Sequence, residues 1–176
     1  MKIYTIQTDR TKRLDVKTLV TLSVLTALYV VLSAMFKIAI GVGNIALDMG
    51  YIAFTIALFE YGPLGTAVGV LGCSIESMVF AAHGFSISWA VANLVIGICC
   101  GYAFTRFDKL WMQITAILLS CVIGLIGAKT LIECMFFSVP IEVRIPRNAI
   151  ACAADAAAML IGLWIAPKLH RKINQN

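Results

Sequence analysis

Two carboxylates stand where an apolar chain can least tolerate them: Glu76 in "LGCSIESMVF" and Asp155 in "AIACAADAAAML". At the helical angular step, Gly62, Gly65, Gly69, Gly72 and Glu76 fall within an arc of roughly 80°. Asn148, Cys152, Asp155, Met159 and Gly162 do the same on a later helix. His83 extends the first stripe if that helix persists. Small residues in line let a second backbone approach closely in lipid, so both acids are expected to point into a bundle. An inward acid either ties two helices together or contacts a solute or ion, and for Glu76 and Asp155 both readings stand.

Other polar residues fall at usable spacing. Lys129 and Glu133, four residues apart, meet on one helical face and either neutralise each other or frame a docking place for a polar solute. Trp89 and Asn93 share a face, which sets an aromatic surface beside an amide; an interfacial Trp with a packing Asn is the plainer alternative. Arg144, Arg147 and Asn148 flank Pro146, where the last helix is expected to begin and where free backbone N–H groups favour anionic or acceptor groups. An arginine that merely reaches for the membrane surface is the other reading.

The catalytic patterns are missing. "GLIGAKT", from Gly124 to Thr130, imitates a phosphate loop, but two residues rather than four separate its glycines and Ala128, not Gly, precedes Lys129. There is no HExxH, no GxSxG, no Cys/His dyad and no metal-ligand spacing. Cys73, Cys99, Cys100, Cys121, Cys134 and Cys152 lie in apolar stretches and read as small packing residues. Neither a metal nor a cofactor is expected.

The elements that must position these side chains are membrane spans. Of 176 residues, 61% are hydrophobic and 13% charged, with a mean hydropathy of +0.93, so the chain cannot supply a polar surface. Apolar runs near Val16 to Phe36, Gly62 to Ala82, Ser86 to Thr105, Leu110 to Met135 and Asn148 to Pro167 approach the ~20 residues that a spanning helix needs. Ile45 to Phe59 is a sixth, short one. The expectation is an all-α membrane protein: a six-helix transmembrane bundle forming one domain over residues 1–176, in a bacterial plasma membrane. The net charge of +5 forms no stripe with interleaved aromatics, which argues against nucleic acid. Lys2, Arg10, Lys12, Arg13, Lys17, Arg106, Lys109, Lys168, Arg171 and Lys172 all fall on one side of a six-span chain, which places both termini in the cytoplasm. Residues 1–15 are then a basic cytoplasmic segment and residues 168–176 a cytoplasmic tail. "KIAIGVGNIALDMG", "AAHGFS" and "FFSVPIEVRIPR" face outward.

"YGPLGTAVG" opening the third helix, with Gly62, Pro63, Gly65 and Gly69, an acid later in that helix at Glu76, and "IPRN" with Pro146 and Asn148 opening the last one, carry a resemblance. The chain resembles the substrate-binding S component of energy-coupling factor (ECF) vitamin transporters, most of all the riboflavin-type branch, over essentially its whole length. That resemblance implies a binding protein, not an enzyme, which captures a vitamin or heterocyclic cofactor precursor on the outer side. It also implies docking on a T component bearing two ATPases through small residues of the first helix. The nearest matches to that docking pattern are Ser23 with Ala27 and Val30 with Ala34, while the strict Ala-x-x-x-Ala form occurs at Ala53 and Ala57. For the solute, Trp89, Tyr51 or Phe85 would supply stacking and Glu76, Asn93, Asn148, Asp155, Lys129, Glu133 and Arg147 the polar contacts. Riboflavin, a folate or pterin, and a queuosine precursor all suit such a set. Away from the resemblance, a structural subunit of a membrane complex and an intramembrane enzyme working through Glu76, His83 or Asp155 remain as alternatives.

Overall fold

The computed structural model describes residues 15–36, 38–40, 45–80, 85–137 and 140–173. Asp15 caps the first helix, its carboxylate accepting the Val16 N–H at 2.7 Å, and α1 then runs from Val16–Met35. Two short strands, β1 (Ile38–Ile40) and β2 (Ile45–Leu47), pair antiparallel with Ala39 opposite Ala46, and β2 lies beside α7. Next come α2 (Gly50–Tyr61), a 3-10 turn (Gly62–Gly65), α3 (Thr66–Phe80) and α4 (Ile87–Arg106). Then α5 (Leu110–Cys121), a π-helical stretch (Val122–Lys129) and α6 (Thr130–Phe137) form one continuous helix, and α7 (Ile141–Ile173) ends the described chain. The architecture is helical. Among the described residues, five stretches are long and apolar enough to cross a membrane: Val16–Met35, Gly50–Phe80, Ile87–Arg106, Leu110–Phe136 and Ile141–Arg171.

The polarity of the bundle is inverted relative to a water-soluble protein. Leu19, Val24, Leu71, Val79, Leu119, Trp111 and Trp164 are exposed, whereas Ser33, Thr55, Asn93, Lys129, Glu133, Asn148 and Asp155 are buried. Hydrocarbon asks for this arrangement, because it welcomes apolar side chains and leaves polar ones no partner except another helix. Tyr29, Phe54, Leu58, Ile96, Phe104, Ile117 and Met159 fill the middle. The α2 helix runs through that middle, and Tyr51, Ala53, Phe54, Ala57 and Leu58 on it are almost inaccessible.

Four expectations change at the element ends. Beyond the helices, the chain contains the β1–β2 ribbon that the composition did not announce. The short second helix starts at Gly50 rather than Ile45, since Ile45–Leu47 is strand and Asp48 redirects the chain. Its carboxylate accepts the Gly50 N–H at 2.8 Å and the Ser33 hydroxyl at 3.0 Å, which fixes the entry of α2 against the end of α1. The third helix starts at Thr66, so Gly62 and Gly65 belong to the turn before it rather than to its glycine stripe. Gly62 takes φ 56°, which ends α2, and α3 then turns back along it. A Cβ on Gly65 would meet Ala57, and one on Gly69 would meet the Phe54 ring, the descending order of an antiparallel pair. Finally, α7 begins at Ile141, so Pro146, Arg147 and Asn148 sit within its second and third turns and not at free N–H groups. Pro140 supplies the carbonyl at that start, accepting from Val143 and Arg144. Residues 1–14 of the basic N-terminal segment, His83, the expected span end at Ala82 and the tail residues 174–176 lie outside the described residues.

At the far end of α7, His170 Nδ1 is 2.9 Å from Glu60 Oε2, and the Phe59 ring stands edge-on to the imidazole. This pair joins the last residues of α2 to the last turns of α7. The polar cluster described next lies at the other end of the same helix.

Candidate functional site

Asn148, fully buried on α7, is the junction of a hydrogen-bond network drawn from three helices. Its amide oxygen accepts from the Lys129 ammonium at 2.8 Å, and its amide nitrogen donates to Thr130 Oγ1 at 2.9 Å and Glu133 Oε2 at 3.2 Å. Lys129 Nζ is also 3.6 Å from Glu133 Oε1 and 3.8 Å from the centroid of the Trp89 ring, so the cation is shared between a carboxylate and an aromatic face. From α4, the Ser88 hydroxyl donates to Glu133 Oε1 at 3.4 Å. Arg144 Nε lies 3.6 Å from Glu133 Oε2, too far for a hydrogen bond but close enough for a strong electrostatic attraction. Both oxygens of Glu133 are therefore engaged twice.

The π-helical stretch explains how Lys129 joins this network. Gly124 lets α4 approach closely, since a Cβ there would meet the Ile96 side chain at 2.5 Å. The Thr130 hydroxyl reaches back to the Leu125 carbonyl at 3.4 Å, five residues away, which is the wider repeat of a π turn. A wider turn advances the helix by less rotation per residue and so re-aims everything after it. Lys129, Thr130 and Glu133, at and just after its end, are thereby turned inward as a group relative to the residues of α5.

Above the network is a cavity of about 260 Å3. Phe85, Ser86, Ser88 and Trp89, at and just before the start of α4, line it with Glu133, Arg144 and Arg147. A second, apolar groove along α5, formed by Phe107, Trp111, Met112, Thr115, Ala116 and Leu119, borders the exposed outer face, with Trp111 80% exposed, and offers little to orient a solute.

A second polar group lies deeper. Tyr51 donates its hydroxyl to Asn93 Oδ1 at 2.8 Å, and the Tyr51 ring is wedged between Tyr29 and Phe54 with centroids 6.2 and 6.0 Å apart. Asn93 sits one helical turn below Trp89 and its Nδ2 has no hydrogen-bond partner among the described residues, although the residue is wholly buried. Asp155 is 1% exposed and lies within electrostatic range of both Tyr51 and Lys129, so it stands between the two groups. Glu76 is buried on α3 within electrostatic range of Tyr29, on the side where Gly72 packs against the Tyr29 ring, and it does not line the cavity.

Of the residues singled out from sequence, Trp89, Lys129, Glu133, Arg147 and Asn148 come together around the cavity and its floor, and Tyr51, Asn93 and Asp155 form the layer beneath. Ser88 and Thr130 were missed. Their signal was weak but present: hydroxyls directly beside Trp89 and Lys129 in predominantly apolar runs. On α1, Ser23 and Ala27 are exposed and Ala34 is half-buried, whereas Ala53 and Ala57 on α2 are fully enclosed. The strict small-residue repeat is thus interior packing.

A family model described as "ECF-type riboflavin transporter, S component" matches residues 13–166. The chain belongs to this family. As an S component it is the substrate-binding subunit of an ECF transporter and not an enzyme, and it is a multi-pass membrane protein whose partners are a T component and ATPases. A search of curated protein sequences gives no match. The fold is also similar to the crystal structure of the S component for biotin from an ECF-type ABC transporter, with a TM-score of 0.62 and 17% identity over 89% of this chain and 92% of that one.

Proposed function

We propose that this S component captures a flat heterocyclic vitamin or cofactor precursor in the cavity above Asn148, at the extracellular side of a bacterial plasma membrane. It then releases the solute inward when docked on a T component with two ATPases. The observation that carries the reading is the cavity itself: an aromatic wall at Trp89 and a polar floor whose hydrogen bonds already fix its geometry. Pre-organisation of this kind lowers the cost of ordering polar groups around a ligand. In this reading Asn93, one turn below Trp89 and beneath the cavity lining, turns its unused N–H to a carbonyl on the ring edge that enters deepest.

In this reading the chain crosses the membrane six times, with α2 and α3 as two short crossings joined at Gly62–Gly65. One transmembrane domain then accounts for the whole sequence, and both termini are cytoplasmic, as the distribution of Lys and Arg favours. Riboflavin, a pterin or folate, and a queuosine precursor all remain within the class. Mass spectrometry of small molecules retained by protein purified gently from cells is the direct test. Retention of one heterocycle at about one per protein, lost or weakened at least tenfold in Asn93→Leu and Trp89→Ala, is the expected result. If both variants hold the retained compound as tightly as the parent chain, the cavity is not the binding site.

Docking is assigned to the exposed face of α1 around Ser23 and Ala27, where a small-residue surface lets a partner helix approach closely. Ala27→Leu is expected to abolish uptake in cells carrying the T component and ATPases while leaving binding to the purified subunit unchanged. Uptake at the parental rate would move the docking face elsewhere.

A further inference from the structure

The cavity has an uneven charge. Among the described residues Glu133 is the one carboxylate in its lining, and both of its oxygens are already committed, to Ser88 and Lys129 on one side and to Asn148 and Arg144 on the other. Two cations meet that single acid, Lys129 from beneath and Arg144 beside it, and Arg147 lines the same cavity from the next turn of α7. Among the described residues Arg147 has no carboxylate within ion-pair distance, and it faces the cavity from an exposed position. The Arg144 Nε is buried without a hydrogen bond. A site with aromatic surface at Phe85 and Trp89 and surplus positive charge is complementary to a ligand that brings an anion. A guanidinium also presents paired donors in a geometry that suits carboxylate and phosphate oxygens.

Resting on the capture reading given above, we propose that the solute carries an anionic group, a carboxylate or a phosphate, which is held at the cavity mouth by Arg147 and Arg144 while its ring lies along Trp89. Glu76 and Asp155 do not line the cavity, so the electrostatic preference of the site is opposite to that of a pocket that binds a guanidine-like ring edge. Lys129 is already saturated by Asn148, Glu133 and the Trp89 face, and it serves to hold Glu133 in place rather than to receive the anion.

The test uses matched probes that differ in charge alone or nearly so: nicotinate and nicotinamide, biotin and biotin amide, riboflavin 5′-phosphate and riboflavin. Binding to the full chain is measured in an uncharged detergent, which removes lipid headgroups as a competing source of phosphate. At least one anionic member should bind ten times more tightly than its neutral partner, with an affinity that weakens as salt rises. Arg147→Gln, at an exposed position where folding is not at stake, should erase that advantage. The carboxylate and phosphate pairs separate the two anion types. A neutral member that binds as tightly as its anionic partner, or an unchanged preference in Arg147→Gln, overturns the charge assignment and leaves the capture reading intact. If another compound co-purifies instead, a neutral identity overturns the proposal and an anionic one supports it. A chain that retains no small molecule and binds none of the six probes fails the capture reading and this proposal together.

Discussion

Glu133→Gln is expected to destabilise the protein by about 3–5 kcal/mol, the cost of removing one partner from a buried ion pair. The residue is 6% exposed and Lys129 3% exposed, so neither charge can turn to water when its partner is lost. Glutamine fills the same volume but has one acceptor oxygen where the carboxylate has two; turned so that this oxygen accepts from Asn148, its Nε2 donates to the Ser88 hydroxyl, whose role reverses. It leaves Lys129 facing only the Asn148 carbonyl and the Trp89 ring, and leaves Arg144 without a counter-charge. Lys129→Met should cost less, about 1–3 kcal/mol, because Glu133 keeps Arg144, Asn148 and Ser88. The double variant is the decisive measurement. Once Lys129 is gone, the glutamine no longer strands a buried ammonium, so the combined loss should fall short of the sum by about 2 kcal/mol. Denaturant or thermal unfolding in detergent reads all three values. Strict additivity would mean that the 3.6 Å approach of the two charges carries no energy and that Asn148 alone holds Lys129.

The sequence announced this pair but not its setting, and the reason is geometric. Spacing of four residues places Lys129 and Glu133 on one face of any helix, so their meeting follows from the chain alone. Which residues complete the network depends on how α4 and α7 are packed against that face, and a helical wheel gives a direction inward but not a neighbour. Glu76 on its glycine stripe and Glu133 beside Lys129 were therefore both read as inward acids that a solute could meet. Packing separated them: Glu76 faces the Tyr29 side of the bundle and Glu133 the cavity. Asn148 was legible as polar and inward, yet its expected position at a helix start was wrong because Pro146 reads as an opening signal while the chain tolerates it inside the second turn of α7. The π-helical stretch left only Gly124 and Gly127 as a trace. The ribbon from Ile38–Ile40 to Ile45–Leu47 sat in a Gly-rich stretch already read as a loop, and its second strand was indistinguishable by hydropathy from the start of a short span. Apolar character fixed where the long helices run, since lipid imposes one rule on every residue it touches. It says little about the short elements at the ends.

The turn between α2 and α3 yields the other large effect. Gly65→Ala is expected to cost about 3 kcal/mol or more and to reduce the yield of folded protein severely, at the upper end of what overpacking does. The added Cβ would lie 2.5 Å from the Ala57 carbonyl carbon and oxygen and 2.6 Å from the Leu58 nitrogen, and all three are backbone atoms of a buried helix. No rotamer change relieves such a contact. Either α3 must move away or the last turn of α2 must shift. Both moves reach the site, because α2 carries Tyr51, which donates to Asn93, and α2 is tied at one end to Ser33 through Asp48 and at the other to His170 through Glu60. Gly127→Ala is the control: its Cβ would find nothing nearer than the Val122 carbonyl oxygen at 4.0 Å, so the change should stay within about 1 kcal/mol of the parent. Melting temperatures of the two variants in the same detergent distinguish a general intolerance of the bundle to alanine from a specific backbone collision. Equal stability of Gly65→Ala and Gly127→Ala would mean that α2 and α3 do not touch at Gly65, and with that contact would go the hairpin that holds α2 in the centre of the bundle and Tyr51 beneath Trp89.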